Sequence, residues 1–272
     1  MDLTQLLPIA VSAAQAAGDL IKCHYRSACD TWDKSPDNPV TKADLAADQL
    51  LREWLTAATP DCGWLSEETV DTMERLDKYC IWVVDPLDGT KEFIERLDEF
   101  AVSVAFVQDG RPLLGVVHNP ATGETIAGIV SQGLTYNGET TRALSGRAEA
   151  SGAQVLVSNT EVKRGMWAPY QDTFDLKQVG SAAYKLARVA AGFGDAYISL
   201  KPKHEWDICA GVALVLAVGG QATDLSGRTF RFNQAEMEVN GVVAANPTLH
   251  AALIGLLEPK GRRTYAASEI NL

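Results

Sequence analysis

The stretch CIWVVDPLDGTKEF, residues 80–93, runs an apolar segment directly into two aspartates, Asp85 and Asp88, with a proline between them. The apolar run predicts a buried strand. The proline fixes its own φ, and Gly89 permits close approach of the backbone. The two carboxylates and the carbonyl of Leu87 can therefore converge at the carboxyl end of the strand. Clustered oxygens of this kind suit Mg²⁺ rather than zinc. The alternative is a plain turn in which the aspartates cap the backbone.

A similar motif belongs to the haloacid-dehalogenase phosphatases, which carry D-x-D-G-T after an apolar strand. The first aspartate of that motif is the nucleophile. In this chain the position is Pro86, so no carboxylate stands where phosphoaspartate chemistry requires one. We therefore reject that mechanism.

Two helices are predicted before the motif. The first 27 residues have apolar side chains at helical spacing and lack a basic segment, which favours an amphipathic helix over a signal peptide. Residues 41–58 form the second helical pattern, in which Thr41 and Asp44 have the spacing of a helix N-cap and its third residue. Between them, residues 33–40 are rich in Pro and Asn and predict a loop.

Two regions of different architecture are predicted for the rest of the chain. Residues 99–138 read as consecutive strands with turns at Asp109-Gly110 and Asn119-Pro120, which predicts an antiparallel meander. A polar, weakly patterned stretch follows, and we place a boundary there, dividing the chain into regions 1–150 and 151–272. Beyond it strands alternate with helices, which predicts an α/β region with a mixed sheet. Helices are expected at 181–192, at 207–218 and after Pro247.

The composition is that of an ordinary globular protein with an acidic surface. The 272 residues are 46% hydrophobic and 22% charged, and the formal net charge is -11. This charge argues against a nucleic acid polymer or an anionic membrane as partner. A small phosphorylated metabolite stays possible as substrate, because bound cations can invert the local field.

The cysteines and the apolar segments indicate a cytoplasmic protein. The cysteines are odd in number, include no C-x-x-C and match no zinc spacing, which favours reduced thiols; they are Cys23, Cys29, Cys62, Cys80 and Cys209. We expect no stretch to approach the ~20 apolar residues of a membrane span.

Acidic residues in two further stretches change what the motif indicates. WLSEET places Glu67 and Glu68 before the strand, and HEWDICAG places Asp207 ahead of a long apolar helix. Taken singly, Glu67 would be a solvated loop acid and Asp207 a helix N-cap. The ordered set of motifs nevertheless resembles the inositol monophosphatase superfamily of Mg²⁺-dependent, Li⁺-sensitive phosphatases over nearly the whole chain; the set is TKAD, SEET, WVVDPLDGTKEF, VGSAAYK and WDICAG.

This resemblance implies a fold and a metal centre. The fold is α/β, a layered α-β-α-β-α sandwich with the site between the two regions. Members are commonly homodimers. Two or three Mg²⁺ ions are the expected cofactors, and such ions acidify an attacking water and clamp the oxygens of an in-line displacement. The ligands implied by the resemblance are Glu67, Asp85, Asp88, Asp207 and the carbonyl of Leu87.

The resemblance also implies catalytic roles for Asp44 and Thr90, with Glu67 in the same set. Thr90 and Asp44 would orient and deprotonate a water, while Gly89 and Thr90 would cradle the phosphate. For Asp44 the alternative is membership of a helix capping box alone.

The residues after the motif resemble one branch of the superfamily. Inositol-type members tend to read DGTTNF, whereas DGTKEF here resembles the 3'(2'),5'-bisphosphate nucleotidases, which convert 3'-phosphoadenosine 5'-phosphate (PAP) to AMP. Gly180 and Ser181 open a predicted helix with Lys185 one turn in, a natural second anion site. The alternative for Lys185 is a surface lysine. Ser158 falls near a nucleotide contact of related enzymes.

The chain departs from the inositol-type pattern just before Asp207. Those phosphatases place a glutamate about seven residues earlier, and here that residue is Leu200. Three cationic side chains follow, which either meet a nucleotide phosphate or are solvated: Lys201, Lys203 and His204. Glu205 has no assigned role.

Two alternatives stay open beside the nucleotidase. One is an inositol-1-phosphate or broad sugar-phosphate phosphatase on the same fold. The other is a catalytically silent relative that binds a metabolite or a protein, against which the intact set of acids argues.

Overall fold

The structure is a computed structural model that describes residues 2–25, 31–35, 38–141 and 144–257. Its helices are α1 (Leu3–Tyr25), α2 (Lys42–Ala58), α3 (Thr90–Ile94), α4 (Asn159–Lys163), α5 (Ala182–Ala190), α6 (Glu205–Ala217) and α7 (Pro247–Leu257), with 3₁₀ turns at Glu74–Asp77 and Ala168–Tyr170. Its strands are β1 (Thr31–Ser35), β2 (Asn38–Thr41), β3 (Gly63–Ser66), β4 (Cys80–Asp88), β5 (Ala101–Gln108), β6 (Arg111–Asn119), β7 (Glu124–Ile129), β8 (Gly133–Tyr136), β9 (Glu139–Thr141), β10 (Gln154–Val157), β11 (Asp175–Gln178), β12 (Ala196–Ser199), β13 (Lys203–His204), β14 (Gln221–Thr223), β15 (Glu238–Val239) and β16 (Val242–Ala245).

The first sheet follows the chain in the order β3-β4-β5-β6-β7-β8-β9. β3 and β4 are parallel, and each later neighbour is antiparallel. The predicted meander is confirmed. Asp109 and Gly110, in the tight turn between β5 and β6, both have positive φ, 49° and 68°, as a two-residue hairpin turn requires.

The second sheet has the order β11-β10-β12-β16-β14. β10 pairs in parallel with β11 and β12, whereas β16 is antiparallel to β12 and β14. The predicted mixed sheet is confirmed. The sheets change between β9 and β10, across the polar stretch, and the division into regions 1–150 and 151–272 stays a prediction.

The layers are explained by the two-residue period of β4. Trp82 and Val84 lie in one core with α1 and α2, whereas Ile81 and Val83 face α5 and α6. A strand covered on both faces needs the continuous apolar run that the sequence has. The middle core also contains Tyr197 of β12, and a third core places the opposite face of the second sheet against α7. The expected α-β-α-β-α sandwich is confirmed.

The predicted loop at 33–40 is wrong where the structure describes it. β1 and β2 pair there in antiparallel fashion, with Thr31 opposite Thr41 and Asp33 opposite Pro39. Pro and Asn suggested a loop, but proline is tolerated in an edge strand whose amide is not needed for pairing. α6 also begins two residues earlier than predicted, so Asp207 lies in its first turn rather than at the N-cap.

α1 confirms the predicted first helix, but it corrects the expectation about membrane spans. By length and composition it is long and apolar enough to cross a membrane. Its small residues are nevertheless fully buried among α2 and the first sheet; they are Ala10, Ala13, Ala14 and Ala17. It therefore packs as a core helix.

Reduced thiols were the wrong expectation for two cysteines. Cys62 and Cys80 form a disulfide with their Cα atoms 4.9 Å apart. Cys62 immediately precedes β3, and Cys80 is the first residue of β4. Because Gly63 lies opposite Ile81 in this parallel pair, the strand register brings the two cysteines side by side. The spacing of the cysteines in the sequence does not predict this register, so it does not predict the disulfide. Cys29 lies outside the described residues.

Candidate active site

Three carboxylates meet at the end of the parallel pair β3/β4. Glu67 follows β3, Asp85 lies in β4, and Asp207 lies in the first turn of α6. Each offers one oxygen, and these oxygens lie within 4.8 Å of one another. Ser66 is opposite Val84, so the two parallel strands deliver their following acids to the same edge. The structure thus brings together three predicted ligands from segments far apart in sequence.

The carboxylates of this cluster destabilise one another's charged form. Burial raises the pKa of Asp85 well above its usual value, and the charge of Glu67 raises it further. Burial likewise raises the pKa of Asp207 and of Asp88. A bound cation relieves such repulsion. Because all the donors are hard oxygens, the set fits a cation such as Mg²⁺ rather than a thiolate-seeking metal.

Asp88 connects the cluster to α5. Its Oδ2 accepts hydrogen bonds from Ser181 Oγ and from the backbone N–H of Ala183, both at 2.6 Å. Oδ1 takes no part in these two bonds. Burial is the main cause that raises the pKa of Asp88, and the charge of Asp207 is the second. The two carboxylates therefore interact. The ligand role of Asp88 stays a prediction.

The turn from Asp85 to Thr90 is held by its own side chains. Asp85 Oδ1 accepts from Leu87 N–H at 3.0 Å, which is the capping turn weighed as the alternative to a metal site. The Leu87 carbonyl accepts from Thr90 Oγ1 at 3.1 Å. Gly89 has φ 97°, and a Cβ there would lie 3.0 Å from the Glu99 carbonyl oxygen. The position therefore requires glycine.

Thr90 and Asp44 are brought together as predicted. Thr90 Oγ1 lies 3.2 Å from Asp44 Oδ1. Asp44 is 1% exposed, and its Oδ2 accepts from the N–H and the hydroxyl of Thr41 at 2.8 and 2.6 Å. Asp44 thus belongs to a capping box and also faces the site, so the two interpretations coexist. Thr90 has one hydroxyl proton for two acceptors, Asp44 and the Leu87 carbonyl.

The start of α5 is held by acids of the first region. Gly180 N–H donates to Glu99 Oε2 at 2.7 Å. Ser181 donates to Asp88 and accepts from Tyr184 N–H at 3.0 Å. A Cβ at Gly180 would lie 2.5 Å from Cγ of Glu92. Only glycine at this position leaves room for the side chain of Glu92, the glutamate of the DGTKEF motif. The roles of Gly180 and Ser181 toward a substrate stay predictions.

Lys185 is buried, so the surface-lysine alternative is wrong. It is 3% exposed, its Nζ donates to the Val179 carbonyl at 2.7 Å, and it lies 5.6 Å from the ring centre of Tyr197. Burial, followed by the charge of Lys203, lowers its pKa to about 8. The sequence pattern of α5 concealed this, because the partners of Lys185, the Val179 carbonyl and the Tyr197 ring of β12, lie outside the helix. Binding of a phosphate by Lys185 stays a prediction, as does the nucleotide contact of Ser158, whose Oγ caps α4 by accepting from Thr160 N–H at 3.2 Å.

The cations before Asp207 lie beside the acidic cluster. Burial opposes the charge of Lys203, but Asp207 and Asp88 raise its pKa above the usual value. Burial and the charges of Arg164 and Lys203 lower the pKa of Lys201. Lys203 therefore interacts electrostatically both with the acids and with Lys201.

A buried glutamate that sequence reasoning missed holds this turn in place. Glu161 is 1% exposed. Its carboxylate accepts from Trp167 Nε1, from Ser199 Oγ and from the N–H groups of Leu200 and Lys201, at 2.9, 2.8, 3.0 and 3.2 Å. A single acid in a five-residue helix gives no sequence signal of such a role.

The side chains of His204 and Glu205, in the same segment, contact other parts of the protein. His204 stacks on Trp206 with ring centres 4.7 Å apart. Glu205 is buried and accepts from the N–H groups of Asn233 and Gln234 at 2.7 and 2.8 Å, and burial raises its pKa to about 7. Glu205, unassigned from the sequence, therefore anchors the 233–234 loop.

Comparison with known proteins points to one family. Residues 2–262 match the sequence model of the inositol monophosphatase family. The 3'(2'),5'-bisphosphate nucleotidase CysQ of Aggregatibacter actinomycetemcomitans is 33% identical over 244 residues, covering 87% of this chain and 91% of that protein. The Nus factor SuhB of Escherichia coli (strain K12) is 34% identical over 260 residues, covering 92% and 94%. The IMPase structure of Thermotoga maritima superposes with a TM-score of 0.83 at 25% identity, covering 94% of this chain and 97% of that one. Because the nucleotidase and the Nus factor are similar to nearly the same degree, overall identity does not select a substrate.

Proposed function

The chain belongs to the inositol monophosphatase family and is a phosphoric monoester hydrolase, and we propose that it is a Mg²⁺-dependent 3'(2'),5'-bisphosphate nucleotidase. It would hydrolyse the 3'-phosphate of PAP to give AMP and phosphate. The observation that carries this choice is the set of cations on the turn before Asp207. Inositol-type enzymes place a glutamate in this turn, whereas this chain has Leu200 at that position.

The metal centre of this proposal is formed by carboxylates of three segments. Glu67, Asp85 and Asp207 each offer one oxygen within 4.8 Å of the others. Asp88 and the Leu87 carbonyl belong to the turn that follows Asp85. We propose that they hold two or three Mg²⁺ ions. The ions would stabilise charge on the phosphoryl oxygens and acidify the attacking water.

The attacking water would pass its proton to Thr90 Oγ1 as that hydroxyl passes its own proton to Asp44 Oδ1. When Thr90 Oγ1 donates to Asp44, its lone pairs are available to accept from a water and so to orient it. Asp44 is held by Thr41 through Oδ2, which leaves Oδ1 directed at Thr90. Gly89 and Thr90 would receive the phosphate at this turn.

The second phosphate is where a bisphosphate substrate differs from inositol 1-phosphate. The charge of Lys203 acts on Lys201 and on the buried Lys185, and its own pKa is raised by Asp207 and Asp88. Charge-assisted contacts from such cations would hold a phosphate remote from the scissile ester. Glu161 supports the proposal because it fixes the backbone that carries Lys201.

Phosphate release from a substrate panel tests the proposal. The substrates are PAP, 3'-phosphoadenosine 5'-phosphosulfate, inositol 1-phosphate and fructose 1,6-bisphosphate, each with and without Mg²⁺. We expect the largest kcat/KM for PAP and no release after chelation. A larger kcat/KM for inositol 1-phosphate would establish the second candidate function, an inositol or sugar-phosphate phosphatase, which the similarity to IMPase structures favours. Failure on all four substrates would favour a silent relative.

We further propose a cytoplasmic enzyme that is Li⁺-sensitive and homodimeric, and that binds neither nucleic acid polymers nor membranes. The net charge of -11 supports the last two points. Inhibition by LiCl tests the lithium sensitivity, light scattering during size-exclusion chromatography tests the dimer, and fractionation of cells tests the location.

A further inference from the structure

A second aspartate of α2, Asp48, lies one helical turn after Asp44. Residues four apart project from the same side of a helix, so both point toward the first sheet. Asp48 is 8% exposed, and a buried carboxylate needs hydrogen-bond partners. Those partners lie on the segment that carries Glu67.

The carboxylate of Asp48 holds both ends of the 66–69 segment. Ser66 Oγ donates to Oδ1 at 2.5 Å, and Thr69 Oγ1 donates to Oδ2 at 2.8 Å. The two hydroxyls also accept, Ser66 from Glu68 N–H at 3.3 Å and Thr69 from Trp64 Nε1 at 3.2 Å. One buried charge therefore closes a loop of four residues onto α2.

Glu67 needs such support because it lies among like charges. Its carboxylate faces Asp85 and Asp207, and repulsion would drive a loop acid toward solvent before a cation binds. Its backbone N–H donates to the Val84 carbonyl at 3.3 Å, a long bond at the last rung of the β3/β4 pair. The charge-assisted bonds of Asp48 on either side of it are shorter and stronger.

We propose that Asp48 is a positioning residue of the metal centre: it fixes the 66–69 segment so that Glu67 is presented to the cation. The inference rests on the proposed role of Glu67 as a ligand. Because α2 also carries Asp44, which faces Thr90, one helix sets the distance between the ligand segment and the proton acceptor.

Metal binding without substrate tests the proposal. Isothermal titration of the metal-free protein with MgCl₂ gives Kd for the wild type, for Asp48→Asn and for Glu53→Gln, an exposed acid of the same helix. Residues that orient metal ligands typically change affinity by about 10- to 100-fold. We expect Kd to rise by at least about 10-fold for Asp48→Asn, with kcat recovering to within a few-fold at saturating Mg²⁺, and no change for Glu53→Gln.

A double variant of the partners guards against misfolding of Asp48→Asn. Ser66→Ala with Thr69→Val removes both donors and leaves the carboxylate, and it should raise Kd to a similar extent. Circular dichroism in metal-free buffer establishes that each variant is folded. Unchanged Kd in the folded variants, or an equal rise in Glu53→Gln, overturns the positioning role alone. A wild type that binds no Mg²⁺ overturns the proposed metal centre as well, so the two failures are distinguishable.

Discussion

The acidic edge of the first sheet and the cationic turn before α6 belong to one proposed substrate site, but they are built in different ways. At the acidic edge, Asp85 and Asp88 are placed by one short turn whose proline and glycine fix the backbone. On the cationic side, the backbone at 199–201 is held by Glu161, which lies 38 to 40 residues earlier in the chain and accepts hydrogen bonds from Ser199, Leu200 and Lys201. Local geometry thus places the acids, and long-range packing places the cations that we propose as the second anion contact.

The largest effect is expected from Asp88→Asn, which removes one charge from the acidic edge. An amide of the same size keeps an oxygen that can accept from Ser181 and Ala183, so the fold should persist. Losing a charged ligand costs several kcal/mol of transition-state stabilisation, at least about 10²-fold in kcat.

Phosphate release at saturating Mg²⁺ measures this effect, and circular dichroism checks the fold. Asp172→Asn, at an exposed position, is the matched control and should retain wild-type activity. Near-normal activity of Asp88→Asn would remove Asp88 from the metal centre and leave it only its contact with α5.

A comparable but more specific loss is expected from Thr90→Ala. The hydroxyl lies 3.2 Å from Asp44, and its removal should lower kcat by about 10²-fold, the usual scale of general-base catalysis, with a smaller change in KM. Thr90→Ser keeps the hydroxyl and should recover most of kcat. If instead KM alone rises, Thr90 binds phosphate and takes no part in proton transfer.

A smaller effect, confined to bisphosphates, is expected on the cationic side from Lys201→Ala. One charge-assisted contact is worth roughly 1.5–3 kcal/mol, which corresponds to about 10- to 150-fold in kcat/KM for PAP. Inositol 1-phosphate has no second phosphate and should be hydrolysed as before.

The ratio of the two specificity constants is the measurement, with the exposed Lys177→Ala as control. Equal losses on both substrates would show that the turn supports the common phosphate site. The acidic edge and the cationic turn would then differ in how they fold, and the cationic turn would not select the substrate.

What the sequence could predict follows the same division. The D-P-L-D-G-T turn and the Thr41–Asp44 box are local, so their residues appear in the structure where the pattern placed them. The Cys62–Cys80 disulfide depends on strand register, and the burial of Lys185 depends on the packing of α5 against Tyr197 of β12. Asp48 and Glu161 are single acids whose partners lie far along the chain. No local pattern distinguishes them from solvated carboxylates.

The charge of Lys185 is influenced both by Asp88 of the acidic edge and by Lys203 of the cationic turn. The smallest expected effect is that of Lys185 on the pH dependence of stability. Burial and Lys203 lower its pKa to about 8, against the opposing charges of Asp88 and Glu92. In the unfolded chain the ordinary pKa is 10.5. Between these values the unfolded state binds more protons, so this group makes folding more favourable as pH rises.

From pH 7 to pH 9 the gain in the free energy of unfolding from this one group is on the order of 1 kcal/mol. Urea unfolding of metal-free protein at both pH values should show this gain in the wild type relative to Lys185→Met, in which the titrating group is absent. The exposed Lys177→Met should behave as the wild type. Equal pH dependence in wild type and Lys185→Met would mean that Lys185 keeps an ordinary pKa, fully paired with Asp88 and Glu92. In that case the acidic edge, and not the cationic turn, would control the charge at the centre of the site.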